Sequence, residues 1–128
     1  MPFAAVPFAT VLRLNALLFA VLCAGLLLAP GLFASVFGLD PSVGAEVMAR
    51  RSGAIFAGLA PLYLVLAGVT EPAAQRGIAR ASLLMMTALP VLGLTELALG
   101  RLGPGVLIPV ALEVLFIALY LPHAFRRG

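Results

Sequence analysis

The chain of 128 residues has no tryptophan, one cysteine, one histidine and very little charge: eight basic and five acidic residues, or 10% of the total. All eight basic residues are arginine, so lysine is absent as well. A soluble domain carries roughly 25% charged residues, and 10% is too few to cover a water-facing surface. Most of the chain is therefore expected to face lipid, and the 63% hydrophobic content agrees. Cys23 alone excludes an internal disulfide and a cysteine-based metal cluster. No stretch alternates polar and apolar residues in the manner of a membrane barrel. Nucleophile–base motifs, phosphate-binding loops and metal-ligand spacings are missing too.

A net charge of +3 can point to nucleic acid as a partner. Here the arginines stand singly or in pairs at the ends of apolar runs, which is the pattern of membrane topology signals, so no nucleic-acid partner is expected. Arg13 followed by Leu14 to Ala29 has the polarity of a signal peptide. No small-x-small cleavage site follows it, and the run is read as a retained membrane helix.

Taken in order, the chain divides into four apolar spans, predicted at about 10–29, 45–69, 78–99 and 106–121. Each has roughly the 17–25 residues that cross a bilayer core of about 30 Å. Residues 1–9, broken by Pro2 and Pro7, are expected at the interface. Pro30-Gly31 ends or bends the first span, leaving Leu32 to Phe37 as a short apolar tail. Asp40-Pro41, Glu71-Pro72 and Gly103-Pro104-Gly105 mark the loops. Short loops predict antiparallel neighbours, and so an all-α, up-down bundle of four transmembrane helices forming one domain over residues 1–128. With both termini cytoplasmic, the inner arginines are Arg13, Arg76, Arg80, Arg126 and Arg127. Arg50, Arg51 and Arg101 are then outer, a modest positive-inside bias.

The candidate site rests on charges inside these spans. Arg50 and Arg51 stand at the start of span two, with Glu46 one turn before Arg50. Glu96 lies near the end of span three and Glu113 near the middle of span four. Connectivity brings these segments to the same membrane face. An intramembrane charge costs ~2.5–3.5 kcal/mol on insertion scales, so Glu113 is protonated, paired with an arginine, or set in a wet cavity. Pairing with Arg50 or Arg51 is the expected solution, because the guanidinium fork matches a carboxylate. Such a pair equally well does nothing but fix helix register. Tyr120 shares a face of span four with Pro109, Glu113 and Phe116, and joins Arg50, Arg51, Glu96 and Glu113 as a candidate ligand-binding residue. Gly53 with Ala57, and Ala54 with Gly58, form small-xxx-small ridges for close helix approach. Asn15 and Arg80 lie towards the opposite face as possible partners. His123 is expected at the interface, and Met85-Met86 in packing.

Four short spans, the start of span two (Arg51-Ser52-Gly53-Ala54) and the acidic Glu113 in span four together resemble the small DoxX-like bacterial four-helix membrane proteins. The resemblance covers most of the chain and implies a four-helix bundle. Some members accompany quinone-linked oxidoreductases, and no catalytic residue carries over.

Three functions compete. The first is a non-catalytic accessory subunit, or a binder of a lipid- or quinone-like hydrophobic molecule, requiring no cofactor. Membrane lipid, a membrane-protein partner and a second copy of the chain are its candidate partners. The second is a membrane isomerase, cyclase or hydrolase with Glu96 and Glu113 as acid and base. The third is a proton-coupled transporter acting as an oligomer. The topology common to all three is testable. Single cysteines introduced at Asp40 and Arg101 should both react with a membrane-impermeant thiol reagent from outside the cell. Reaction of only one removes a span, and reaction of both from the cytoplasm reverses the orientation.

Overall fold

The computed structural model describes residues 6–126. Pro2 at the expected interfacial segment and Arg127 in the basic tail lie outside these residues. The described chain is all-helical: α1 (Phe8–Leu28), α2 (Pro30–Val36), α3 (Val43–Leu66), α4 (Pro72–Ala98), a 3-10 turn (Pro104–Val106) and α5 (Leu107–Ala124). Three segments are long and apolar enough to cross a membrane: Phe8–Leu28, Pro72–Ala98 and Pro104–Ala124. Their outward residues suit lipid: Leu28 is 84% exposed and Leu84 72%. α3 is also long, but every 18-residue window of it contains both Arg50 and Arg51.

Five helices are present where four spans are predicted. The extra one is α2, which turns the expected apolar tail into a helix of its own. Pro30 supplies its first position, where a missing N–H costs nothing and the fixed φ suits a helix start. α4 begins at Pro72, six residues earlier than the predicted Ile78. The cause is local: the Glu71 carboxylate accepts from Ala73 N (2.9 Å) and Ala74 N (2.6 Å). It thereby satisfies two of the N–H groups that a helix start leaves open. α3 begins in the same way, with Ser42 Oγ accepting from Ala45 N at 3.0 Å.

The long helices associate as two antiparallel pairs, α1 with α3 and α4 with α5. Gly53 of α3 sits against Leu26 and Leu27 of α1, and a Cβ added there would lie 3.0–3.1 Å from them. The Gly53 ridge therefore does what small residues do between membrane helices. In the second pair Gly93 faces Val106 and Val110. At the opposite end Arg80 Nε donates to the Ala124 carbonyl at 2.9 Å, satisfying an open carbonyl of α5.

The two pairs meet in two places. One is a core around the beginning of α1 and the end of α5, built on Phe8, Val11, Leu12, Ala16, Phe19, Tyr63, Met86, Phe116 and Tyr120. Phe19 lies between Phe56 (stacked, 5.3 Å) and Tyr63 (edge-on, 4.9 Å). His123, expected at the interface, is instead buried: it makes a 2.9 Å hydrogen bond with the Val6 carbonyl and an edge contact with Phe8. The other meeting point is a clasp at the far end, where Gly103 N donates to the Phe37 carbonyl at 2.7 Å. Gly38 permits this clasp. Its φ is +70°, and a Cβ there would lie 2.8 Å from Gly103 N, so only glycine suits both the dihedral and the approach.

The Glu71 cap is the part of this scaffold that responds to acid. Its two N–H donors hold the carboxyl below the ordinary value of 4.5. A lowered folded-state pKa means that the stabilisation is complete above that ordinary value and is lost as pH falls through the lowered one. Glu71→Gln should therefore melt below the wild type at neutral pH, with the gap closing in acid. A gap that is constant from pH 7 to pH 3 would show that the charge of the cap contributes nothing.

Candidate functional site

The predicted charge cluster does not assemble. Glu96 pairs instead with Arg101, five residues on, through Arg101 Nη1 at 3.4 Å from both carboxylate oxygens. The turn after α4 explains this: Arg101 N donates to the Glu96 carbonyl at 2.9 Å, which folds Arg101 back over Glu96. Neither Arg50 nor Arg51 forms a salt bridge among the described residues, and both are exposed. Glu46, one turn before Arg50, forms no salt bridge with it among the described residues either. Glu113 is half-buried, and its Oε2 has no hydrogen-bond partner. Arg50 and Arg51 lie at the same end of the helix bundle as Glu96, but they are exposed and make no ion pair with it.

Glu96 and Glu113 are also held apart from each other. Gly93 opposite Val106 and Val110 sets the α4/α5 register and puts Glu96 near the level of Gly105. At 1.5 Å per residue that is roughly 12 Å along the axis from Glu113. An acid and base acting on one small centre need to be much closer than this.

A different polar set does assemble, with one residue from each long helix. Asn15 of α1, Tyr63 of α3, Ser82 of α4 and Tyr120 of α5 are all buried. The Tyr63 and Ser82 hydroxyls hydrogen-bond at 2.7 Å, with either as donor. This bond ties the first helix pair to the second. The Tyr120 hydroxyl is buried as well and falls short of full hydrogen-bond geometry with any partner among the described residues, Ser82 being a near neighbour. Asn15 is also 0% exposed, and neither its Nδ2 nor its Oδ1 has a partner among the described residues. The expected Asn15–Arg80 pairing fails, because Arg80 turns to the Ala124 carbonyl and the Phe125 ring, 5.9 Å away.

These groups are ordered in depth. Phe8 beside His123 sets the α1/α5 register and places Asn15 near the level of Phe116. That lies between Tyr120 and Glu113, which share a face of α5 two turns, or roughly 10 Å, apart. Tyr120, Asn15 and Glu113 thus follow one another in level along the bundle axis, a track in order of depth alone, with the Tyr63–Ser82 pair at one end. An unsatisfied buried polar group costs ~1–3 kcal/mol, so such a set is an expensive feature for a fold to carry.

Of the predicted site residues, Tyr120 and Glu113 belong to this track, while Arg50, Arg51 and Glu96 do not. Tyr63 and Ser82 were not anticipated. Their signal is periodicity: Ser82 follows Ala79 by three residues and precedes Met86 by four, which puts it on the buried face of α4. Tyr63 follows Phe56 by seven on the α1-facing side of α3. No family model, curated protein or solved structure matches the chain.

Stability separates paired from unpaired members of the set. Ser82→Ala should cost ~1–3 kcal/mol, since the Tyr63 hydroxyl is left buried without a partner. Tyr120→Phe and Glu113→Gln break no hydrogen bond and should melt at or above the wild-type temperature in detergent. A large loss for Glu113→Gln would mean that the carboxylate is paired after all.

Proposed function

We propose that the protein is a four-span integral membrane protein, α3 being the fourth span, that binds a hydrophobic molecule through an uncharged polar group and catalyses no reaction of its own. The observation that carries this reading is Asn15 and Tyr120, fully buried side chains whose three polar atoms lack partners. A fold ordinarily satisfies buried polar atoms, and exceptions concentrate at functional sites. Asn15 offers a donor and an acceptor, and Tyr120 a hydroxyl that serves as either. A carbonyl, ester or hydroxyl on an apolar molecule is the complementary chemistry. No cation is among the track residues, so an anionic group would not be compensated there.

Two further observations support the reading. The antiparallel pairing of α1 with α3 along their length supports α3 as a span, and hence both termini on one face. The separation of Glu96 from Glu113 favours a binder over an acid–base enzyme. A quinone-like or other lipid-soluble carbonyl compound fits the chemistry, in keeping with what the DoxX-like resemblance implies.

The test compares the wild type with an Asn15→Leu, Tyr120→Phe double variant by native mass spectrometry after extraction in mild detergent. The wild type should carry an uncharged hydrophobic adduct. The variant should fold, melt no lower and lack it, because it loses only groups that have no partner within the protein. Equal adduct occupancy in both, or none in the wild type, would sink the proposal.

A further inference from the structure

Arg50 and Arg51 remain without carboxylate partners on the outward side of α3, and their depth makes them informative. From Ser52 to the end of α3 at Leu66 there are 15 residues, roughly 22 Å of helix, less than the ~30 Å hydrocarbon core. Before the arginines, Val43, Val47 and Met48 are exposed apolar residues at 80%, 47% and 62%. The guanidinium groups are thus set between apolar surface on both sides. An α3 that spans the bilayer holds them at the boundary between hydrocarbon and headgroups, where an unpaired charge needs an anion.

A shallow open depression of about 350 Å³ is walled by Arg51, Ala54 and Ile55. One turn further along the same side of α3, a Cβ added at Gly58 would have nothing within 4 Å. Leu62, 47% exposed, continues that side. The surface has a cation at its head, a small-residue trough below it and an apolar floor. We propose that it is a binding site for one anionic phospholipid, with the phosphate on Arg51 and an acyl chain along Ala54, Gly58 and Leu62. The guanidinium fork matches phosphate oxygens in a bidentate manner. The trough accounts for a lipid rather than a free ion, since inorganic phosphate would make no use of it. This site is separate from the buried track, but it rests on the reading of α3 as a fourth span proposed above.

The test measures thermal stability and native-mass-spectrometry occupancy of the detergent-solubilised full chain with added phosphatidylglycerol, phosphatidylcholine or inorganic phosphate. Phosphatidylglycerol should raise the melting temperature and give a one-lipid adduct, while the other two should not. Loss of a charge-assisted contact in Arg51→Gln should weaken that binding about tenfold. Gly58→Leu, which fills the trough and leaves the charge, should also weaken it. Arg101→Gln, altering an arginine paired to Glu96 on the same membrane face, should leave it unchanged. The proposal is overturned if phosphatidylcholine or inorganic phosphate acts as strongly, if Arg51→Gln binds as the wild type does, or if Arg101→Gln weakens binding equally. These variants face outward, so folding is retained, and the melting curve without lipid verifies this.

Discussion

The first half of α1 is what makes one bundle out of two helix pairs. Phe8, Val11, Leu12, Asn15, Ala16 and Phe19 are all buried, a face wide enough to meet α3 on one flank and the end of α5 on the other. Beyond Phe19, α1 has only Leu26 buried and packs on α3 and on α2, where Gly25 meets the Phe33 ring. Between lipid-embedded helices there is little hydrophobic drive, since acyl chains are as apolar as leucine. Association then depends on close packing and hydrogen bonds. Phe19 wedged against Phe56 and Tyr63 supplies the first, and Tyr63 with Ser82 the second. If the α1 face were narrower, the far-end clasp between Phe37 and Gly103 would be left to hold the pairs together.

How much of this was legible in the sequence follows from what sequence encodes. Hydropathy and turn chemistry encode where helices lie along the chain, so the all-helical architecture and the four long segments were readable, with ends displaced by a few residues. Of the two small-residue ridges only Gly53 meets another helix; Ala54, Ala57 and Gly58 are exposed, and nothing approaches Gly58, because spacing alone does not say which ridge faces a neighbour. Level along the bundle was readable too: Arg50, Arg51 and Glu96 lie at the same end of it. What a single helix cannot encode is which side of it faces which neighbour. The Arg–Glu cluster was argued from depth alone, and it failed on direction, since α3 turns Gly53 and Tyr63 inward and therefore Arg51 outward. Glu96 was also captured locally, because the backbone turn delivers Arg101 to it at far less entropic cost than a contact from a distant helix.

Asn15 shows the complementary error. A lone asparagine about two turns into the first helix reads as a group that pairs with Arg80 or snorkels. It is buried because Val11, Leu12, Ala16 and Phe19 surround it on a face that both neighbours use, and Arg80 has a nearer acceptor in the Ala124 carbonyl. Ser82 and Tyr63 escaped notice for a related reason. A single hydroxyl in an apolar helix commonly bonds back to its own helix, as Thr87 does to the Leu83 carbonyl and Thr95 to that of Val91. Only the tertiary arrangement distinguishes a hydroxyl that reaches a neighbouring helix from one that does not.

The two kinds of polar group are sorted between the inside and the outside of the bundle. Asn15, Tyr63, Ser82 and Tyr120 carry no charge and lie inside the bundle, where the cost of a polar atom is that of a missing hydrogen bond. Arg50 and Arg51 carry full charges and lie on the outside, where, with α3 as the proposed fourth span, headgroups come within reach of a long side chain. Exchanging them would place guanidinium groups where no anion could follow and amides where water and phosphate already satisfy them. In the proposed reading this sorting sets the chemistry of each site: an anion at the boundary, and an uncharged donor or acceptor in the interior. Glu113 alone departs from it, a carboxyl two turns deeper than Tyr120 on the same face of α5. Its position at the end of the track, with no cation beside it, links the uncharged interior to the half of the bundle where the helix pairs no longer share a core.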